Sequence, residues 1–134
     1  MNNANETNLL PKFDASTLLE HIKQCSNEEL DQLDFGVIGF DLAGNVCRYN
    51  AIESQLAALA DSTVLGRNLF GVVAPCMNNF MVAQRFEDAL AREQGLDEVI
   101  DYVLTFRMRP QRVKLRLLAQ PGVETRYVLV QRNC

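Results

Sequence analysis

Apolar residues recur along this chain with two different periods, and the switches between them mark out its elements. From Asp14, the positions Leu18, Leu19 and Ile22 repeat at helical spacing, with Asp14 or Ser16 placed to cap the first turn. Ser26-Asn27-Glu28-Glu29 has the form of a capping box and predicts a second short helix. Phe35 to Asp41 predicts a strand, Leu42-Ala43-Gly44-Asn45 a turn and Val46 to Tyr49 a returning strand, completing a hairpin. Asn50 then opens a helical stretch with Ile52, Leu56 and Leu59 as its apolar series. Leu65-Gly66-Arg67 ends that region, and Asn68 caps a new turn.

The clearest helical stripe follows Cys76. Val82, Phe86, Ala89 and Leu90 share one face, Asn78 or Asn79 stands at the start and Gly95 at the end. From Val99 the period becomes two: Tyr102, Leu104, Phe106 and Met108 face one way, and Asp101, Val103, Thr105 and Arg107 the other. Arg109-Pro110 turns the chain, Val113 to Leu118 returns, Pro121-Gly122 turns again, and Arg126 to Val130 forms a last strand. Two β segments flanking a helical middle make an α+β pattern. Its natural solution is a five-stranded, mainly antiparallel sheet with short helices on one face and an N-terminal helical cap. Residues 1–32 are expected to be tail and cap, and residues 33–134 the core domain. A pocket between the sheet and the short helices is the expected place for a ligand.

Composition narrows the classes. At 134 residues the chain suits one domain with its own core, and its net charge of -4 argues against a nucleic-acid surface. Arg112, Lys114 and Arg116 alternate on one strand and are expected to form a solvated outer face. Asn27 to Asp34, with four acids, reads as an exposed acidic helix. No apolar run approaches the roughly 20 residues that cross a bilayer. Met1 to Pro11 is Asn-rich, without the charged and apolar regions of a signal peptide, so a cytoplasmic location is expected, with no membrane partner. Cys25, Cys47, Cys76 and Cys134 form no metal-ligand spacing and read as free thiols. With His21 as the sole histidine, in a surface position, no metal site is expected.

Candidate chemistry centres on Val72-Val73-Ala74-Pro75-Cys76, which places a thiol behind a proline at the end of an apolar run. Taken alone, Cys76 is either a small packing residue or an attachment point. Glu53 stands three residues after Asn50, so it is either the returning arm of a capping box or a buried proton donor. Tyr49 ends a strand, where aromatic packing is commonplace. Phe70, Phe80 and Phe86 are candidates both for core and for pocket wall.

The order of elements resembles a PAS domain, and the local residues resemble its photoactive yellow protein family. The likeness runs from Leu33 to Val130. It is carried by Leu33-Asp34-Phe35-Gly36-Val37-Ile38, by Gly44-Asn45-Val46-Cys47-Arg48-Tyr49-Asn50 with Glu53, by the ungapped run Gly66 to Cys76, and by Tyr102 to Pro110. It implies a PAS fold and a blue-light photoreceptor with p-coumaric acid held as a thioester on Cys76. It implies further that Tyr49 and Glu53 hydrogen-bond the phenolate, and that the buried acid gives up its proton after light absorption. Ala57, Leu59, Phe70, Phe80 and Met108 would complete the pocket. The chain departs from the family at two of these positions: Ala57 replaces a common threonine and Leu59 a common arginine. The loop Met77-Asn78-Asn79-Phe80 is also shorter than usual. These changes make the pocket more apolar.

Three functions therefore compete. The first is a light sensor that loosens its N-terminal helices and passes the signal to an unidentified downstream signalling protein. The second is a PAS module binding another small apolar ligand, or none, and serving as a homodimerisation unit. The third, a thiol enzyme, is disfavoured because His21 is badly placed to serve as a base for Cys76.

Overall fold

The computed structural model describes residues 10–105 and 110–132. Five strands form one antiparallel sheet: β1 (Gly36–Phe40), β2 (Val46–Tyr49), β3 (Leu96–Leu104), β4 (Gln111–Ala119) and β5 (Arg126–Arg132), in the order β2-β1-β5-β4-β3. The expected α+β architecture is the one observed. The last strand continues two residues beyond the apolar run ending at Val130, which brings Arg132 into the sheet. Phe106 to Arg109, Met108 among them, and Cys134 lie outside the described residues.

Strand alternation sorts the core into two layers. Ile38, Phe40, Leu115, Leu117, Val128 and Val130 face one cluster, while Val37, Leu118, Tyr127 and Leu129 face another. Both faces of β5 are thus covered, which is why it reads as a continuous apolar run instead of an alternating one.

The N-terminal helices α1 (Leu18–Gln24) and α2 (Asn27–Leu30) cover the second face, burying Leu18, Ile22, Leu30 and Leu33. The Ser26–Glu29 capping box closes in both directions. Neither Asp14 nor Ser16 caps α1, which starts after Thr17 without a side-chain cap. A turn from Lys12 to Ala15 and the burial of Phe13 against Phe35 delay the helix, so tertiary contacts hold it in place of a cap. Arg48 reaches across from β2, donating to the Ile22 carbonyl at 3.0 Å, the Cys25 carbonyl and the Tyr127 hydroxyl. Arg116 is not on a solvated face as expected: it is 5% exposed. Its guanidinium forks onto Asp97 at 2.8 and 2.9 Å and donates to the Phe13 and Ala15 carbonyls at 2.8 and 2.7 Å. The chain crossing β4 at Phe13 supplies carbonyls that would otherwise lack partners. Arg112 on the same strand is exposed, as expected.

The first face is covered by α3 (Ala51–Ala57), short turns at Asp61–Thr63, Leu69–Val73 and Pro75–Met77, and α4 (Ala83–Ala91). Asn68 caps its turn as expected, accepting from the Gly71 amide at 2.8 Å. Asn79 instead accepts from the Met81 and Val82 amides, so it closes the turn ahead of α4 and does not cap the helix itself. Of the expected stripe on α4, Val82, Phe86 and Ala89 are buried and Leu90 is 52% exposed.

Asn50 places α3. Its Oδ1 accepts from the Glu53 amide at 3.3 Å and from the Val37 amide at 2.9 Å. Its Nδ2 donates to the Leu30 and Phe35 carbonyls at 2.9 and 3.0 Å. Glu53 does not complete a capping box, because its carboxyl turns inward against Gly36. A Cβ at Gly36 would lie 1.9 Å from Glu53 Oε1, so only glycine admits the acid there.

Two substitutions test this placement. Asn50→Ala removes the partner of the Val37 and Glu53 amides and of the Phe35 carbonyl, and is expected to lower unfolding free energy by about 3 kcal/mol, read by urea denaturation. Gly36→Ala is expected to cost about 2 kcal/mol through overpacking, and that penalty should shrink when the substitution is made in a Glu53→Ala background, where the colliding carboxyl is gone.

Candidate functional site

A thiol, a tyrosine hydroxyl and a carboxyl come to the same face of the sheet. Cys76 is half-buried in the turn Pro75–Met77, between the fully buried Ala74 and Met77. Proline fixes the backbone entering the turn. The Cys76 carbonyl accepts from the Tyr102 hydroxyl at 2.6 Å and from Asn79 Nδ2 at 3.2 Å, and Asn79 Nδ2 also lies 2.6 Å from that hydroxyl. The backbone carrying the thiol is thereby tied to β3. Tyr102 was legible only as an inward strand residue; its hydroxyl partner lies 26 residues away in sequence.

Tyr49, Leu59, Phe70 and Cys76 all pack against the core cluster on this face. The Tyr49 hydroxyl donates to the Leu59 carbonyl at 3.3 Å, an acceptor it shares with the Ser54 hydroxyl at 2.8 Å. Burial pushes Tyr49 well above the usual tyrosine range, and nearby Glu53 adds to the shift, so the group is a neutral donor. Phe70 is edge-on to Phe40 with ring centroids 5.3 Å apart, and Phe86 is edge-on to Phe40 at 4.9 Å. Ala57 is buried at the end of α3. Phe80 does not join them. It is 78% exposed, because the turn closed by Asn79 carries it outward ahead of α4.

Glu53 is 1% exposed, and its partner is one that pattern reading missed. Arg132, at the end of β5, donates Nη1 to Oε1 at 2.7 Å and Nη2 to Oε2 at 3.1 Å. Burial pushes the Glu53 carboxyl above its ordinary value, and the Arg132 hydrogen bonds and charge pull against that shift. An arginine just past an apolar strand carries no local signal of an inward partner, since the two residues are 79 positions apart. The other thiols stand elsewhere: Cys25 is partly buried at the end of α1 and Cys47 is exposed on β2. Among the described residues no cluster of metal-ligating side chains occurs, and no helix is long and apolar enough to cross a membrane.

No family model matches the chain. Individual proteins do. The photoactive yellow protein of Halochromatium salexigens is 29% identical over 120 residues, spanning 90% of this chain and 95% of that one. The photoactive yellow protein of Rhodothalassium salexigens is 27% identical over 121 residues, spanning 90% and 96%. Among solved structures, the photoactive yellow protein domain of the sensor histidine kinase Ppr from Rhodospirillum centenum superposes with a TM-score of 0.77 at 34% identity, covering 84% of this chain and 98% of that domain. At 34% identity over nearly the full length of that domain, this chain belongs to the photoactive yellow protein family of PAS domains.

Proposed function

We propose that this chain is a blue-light sensory domain that carries p-coumaric acid as a thioester on Cys76, with Tyr49 and Glu53 as the hydrogen-bonding partners of its phenolate oxygen. The observation that carries the reading is the gathering of a half-buried thiol, a buried acid and a neutral tyrosine hydroxyl on one face of the sheet.

The donor set suits such a ligand. A buried phenolate needs donors or a counter-charge, and Tyr49 and Glu53 supply donors of the kind that bind anionic oxygen strongly. Cys76 is partly accessible, as acylation requires, and its backbone is anchored by Tyr102 and Asn79, so an attached group would be held at a fixed origin. When bound, p-coumaric acid would supply the visible absorption and a double bond that light can isomerise. The chain's own residues hold the pigment's ends, exclude water through Ala57, Leu59 and Phe70, and keep a proton at Glu53. A change of charge at Glu53 would reach the N-terminal helices through Asn50, which bonds both the Glu53 amide and the Leu30 carbonyl. From there the signal would pass to a downstream protein or to a second copy of the chain.

A second reading is a non-covalent small apolar ligand. It is favoured by the buried Ala57, by Leu59 at the core, and by the existing commitments of Tyr49 and Glu53 to Leu59 and Arg132.

Mixing purified apoprotein with an activated ester of p-coumaric acid is expected to give a coloured protein whose intact mass rises by one p-coumaroyl group. Cys76→Ala should abolish both changes, while Cys47→Ala, at the exposed thiol, should leave them intact. A protein that stays colourless and unmodified, yet releases a small molecule in native mass spectrometry, would replace the first reading with the second.

A further inference from the structure

Both oxygens of Glu53 are occupied by Arg132, in a side-by-side arrangement with 2.7 and 3.1 Å contacts. The two side chains are 1% and 6% exposed, so this is an interior pair and not a surface bridge. Guanidinium stays protonated at any pH a protein survives. Two parallel N–H donors on two carboxyl oxygens is the geometry of an ionised acid, since a protonated one would aim its own hydrogen at a group with no lone pair to accept it. Tyr49 on β2 feels the charge of both members of the pair as well as that of Asp61, and Gln111 on β4 accepts from Arg132 Nε through its Oε1 at 3.0 Å. Among the described residues no other cation pairs with Glu53.

A carboxyl in this fork cannot at the same time give a proton to a ligand's phenolate. We propose that Arg132 is a positioning residue that competes with the ligand for Glu53: the closed fork holds Glu53 as a carboxylate, and Glu53 carries a proton only when the fork is open. The inference rests on the proposed chromophore only for its second half. In the apoprotein the fork is closed. When a phenolate takes up the site, Glu53 leaves Arg132 and binds a proton from solvent, becoming the donor. When that proton later passes from Glu53 to the phenolate oxygen, one O–H bond breaks and one forms. The negative charge then moves from ligand to Glu53, where the guanidinium receives it. Arg132 therefore stabilises the state after transfer. The family's common arginine near the pocket is Leu59 in this chain, and Arg132 approaches Glu53 from a different element, the central strand.

The experiment is infrared spectroscopy of apoprotein and pigmented protein at neutral pH, with Glu53→Gln to assign the protonated carboxyl band. Wild-type apoprotein is expected to show no such band. Folded Arg132→Gln apoprotein is expected to show it, because an isolated buried carboxylate protonates instead of remaining charged. Arg132→Lys, which keeps the charge and loses the fork, should fall between. In pigmented protein, with attachment verified by intact mass, the band should be present in the dark, vanish after a flash and return. In Arg132→Gln the dark state should recover at least tenfold faster, because the ionised acid has lost its partner. A Glu53 band in wild-type apoprotein overturns the proposal, and that measurement needs no variant at position 132. So does a folded Arg132→Gln without the band, or with unchanged recovery. If no pigment attaches, the proposed function fails, while the apoprotein spectra still decide whether Arg132 holds Glu53 ionised.

Discussion

The two layers of this molecule meet at the side chain of Asn50. One amide group, fully buried, joins the end of α2, the start of β1 and the first turn of α3. Each of these segments has backbone groups that sheet or helix bonding leaves unpaired, and a buried unpaired amide or carbonyl is costly. Asparagine is suited to the task because it offers a donor and an acceptor a fixed distance apart. Everything proposed for the site depends on this geometry. It sets where α3 begins, hence that the third residue of the helix points inward, and hence that the acid at that position is Glu53.

That acid lies in an environment built from opposing terms. Burial disfavours its charge, and Arg132 favours it. Interior ion pairs of this kind seldom add much stability, because desolvation consumes most of the attraction. Their common value is that small changes in partner shift the balance. Gly36 makes the arrangement sterically feasible by presenting bare backbone to the carboxyl. The site is thus a product of three elements, β1, α3 and β5, and none of them alone shows what Glu53 does.

The order of elements, the hairpin, the caps at Ser26 and Asn68 and the inward face of the last strands were legible, because each rests on local periodicity or on a cap a few residues long. What escaped has a common character. The Ala15 carbonyl that Arg116 reaches, the Cys76 carbonyl that Tyr102 reaches and the Arg132 that pairs with Glu53 lie 101, 26 and 79 positions away. Charge alternation on β4 looked like a wet face because a strand pattern cannot say that another part of the chain will lie across it. Phe80 looked like pocket wall for the complementary reason: aromatic character marks burial on average, while the turn closed by Asn79 determines where this ring goes. Asn50 and Glu53 illustrate the boundary. The N-cap was readable from spacing, but the capping box it implied was not completed, since a buried cation competes successfully for the acid.

The position of β5 has a kinetic consequence. It is the last strand in sequence and the middle strand in space, paired on one side with β1 and on the other with β4. Until it is in place, the hairpins β1–β2 and β3–β4 are separate ribbons, each with an open edge and an uncovered apolar face. Joining them closes a loop from Gly36 to Val130, and such long-range closure slows folding far more than local helix formation does. Synthesis from the N-terminus therefore delivers both ribbons before the strand that unites them, and the interval is one in which exposed edges invite pairing with other chains. The same residue that completes the sheet at its far end, Arg132, also completes the charge pair, so assembly of the fold and assembly of the site finish in a single event.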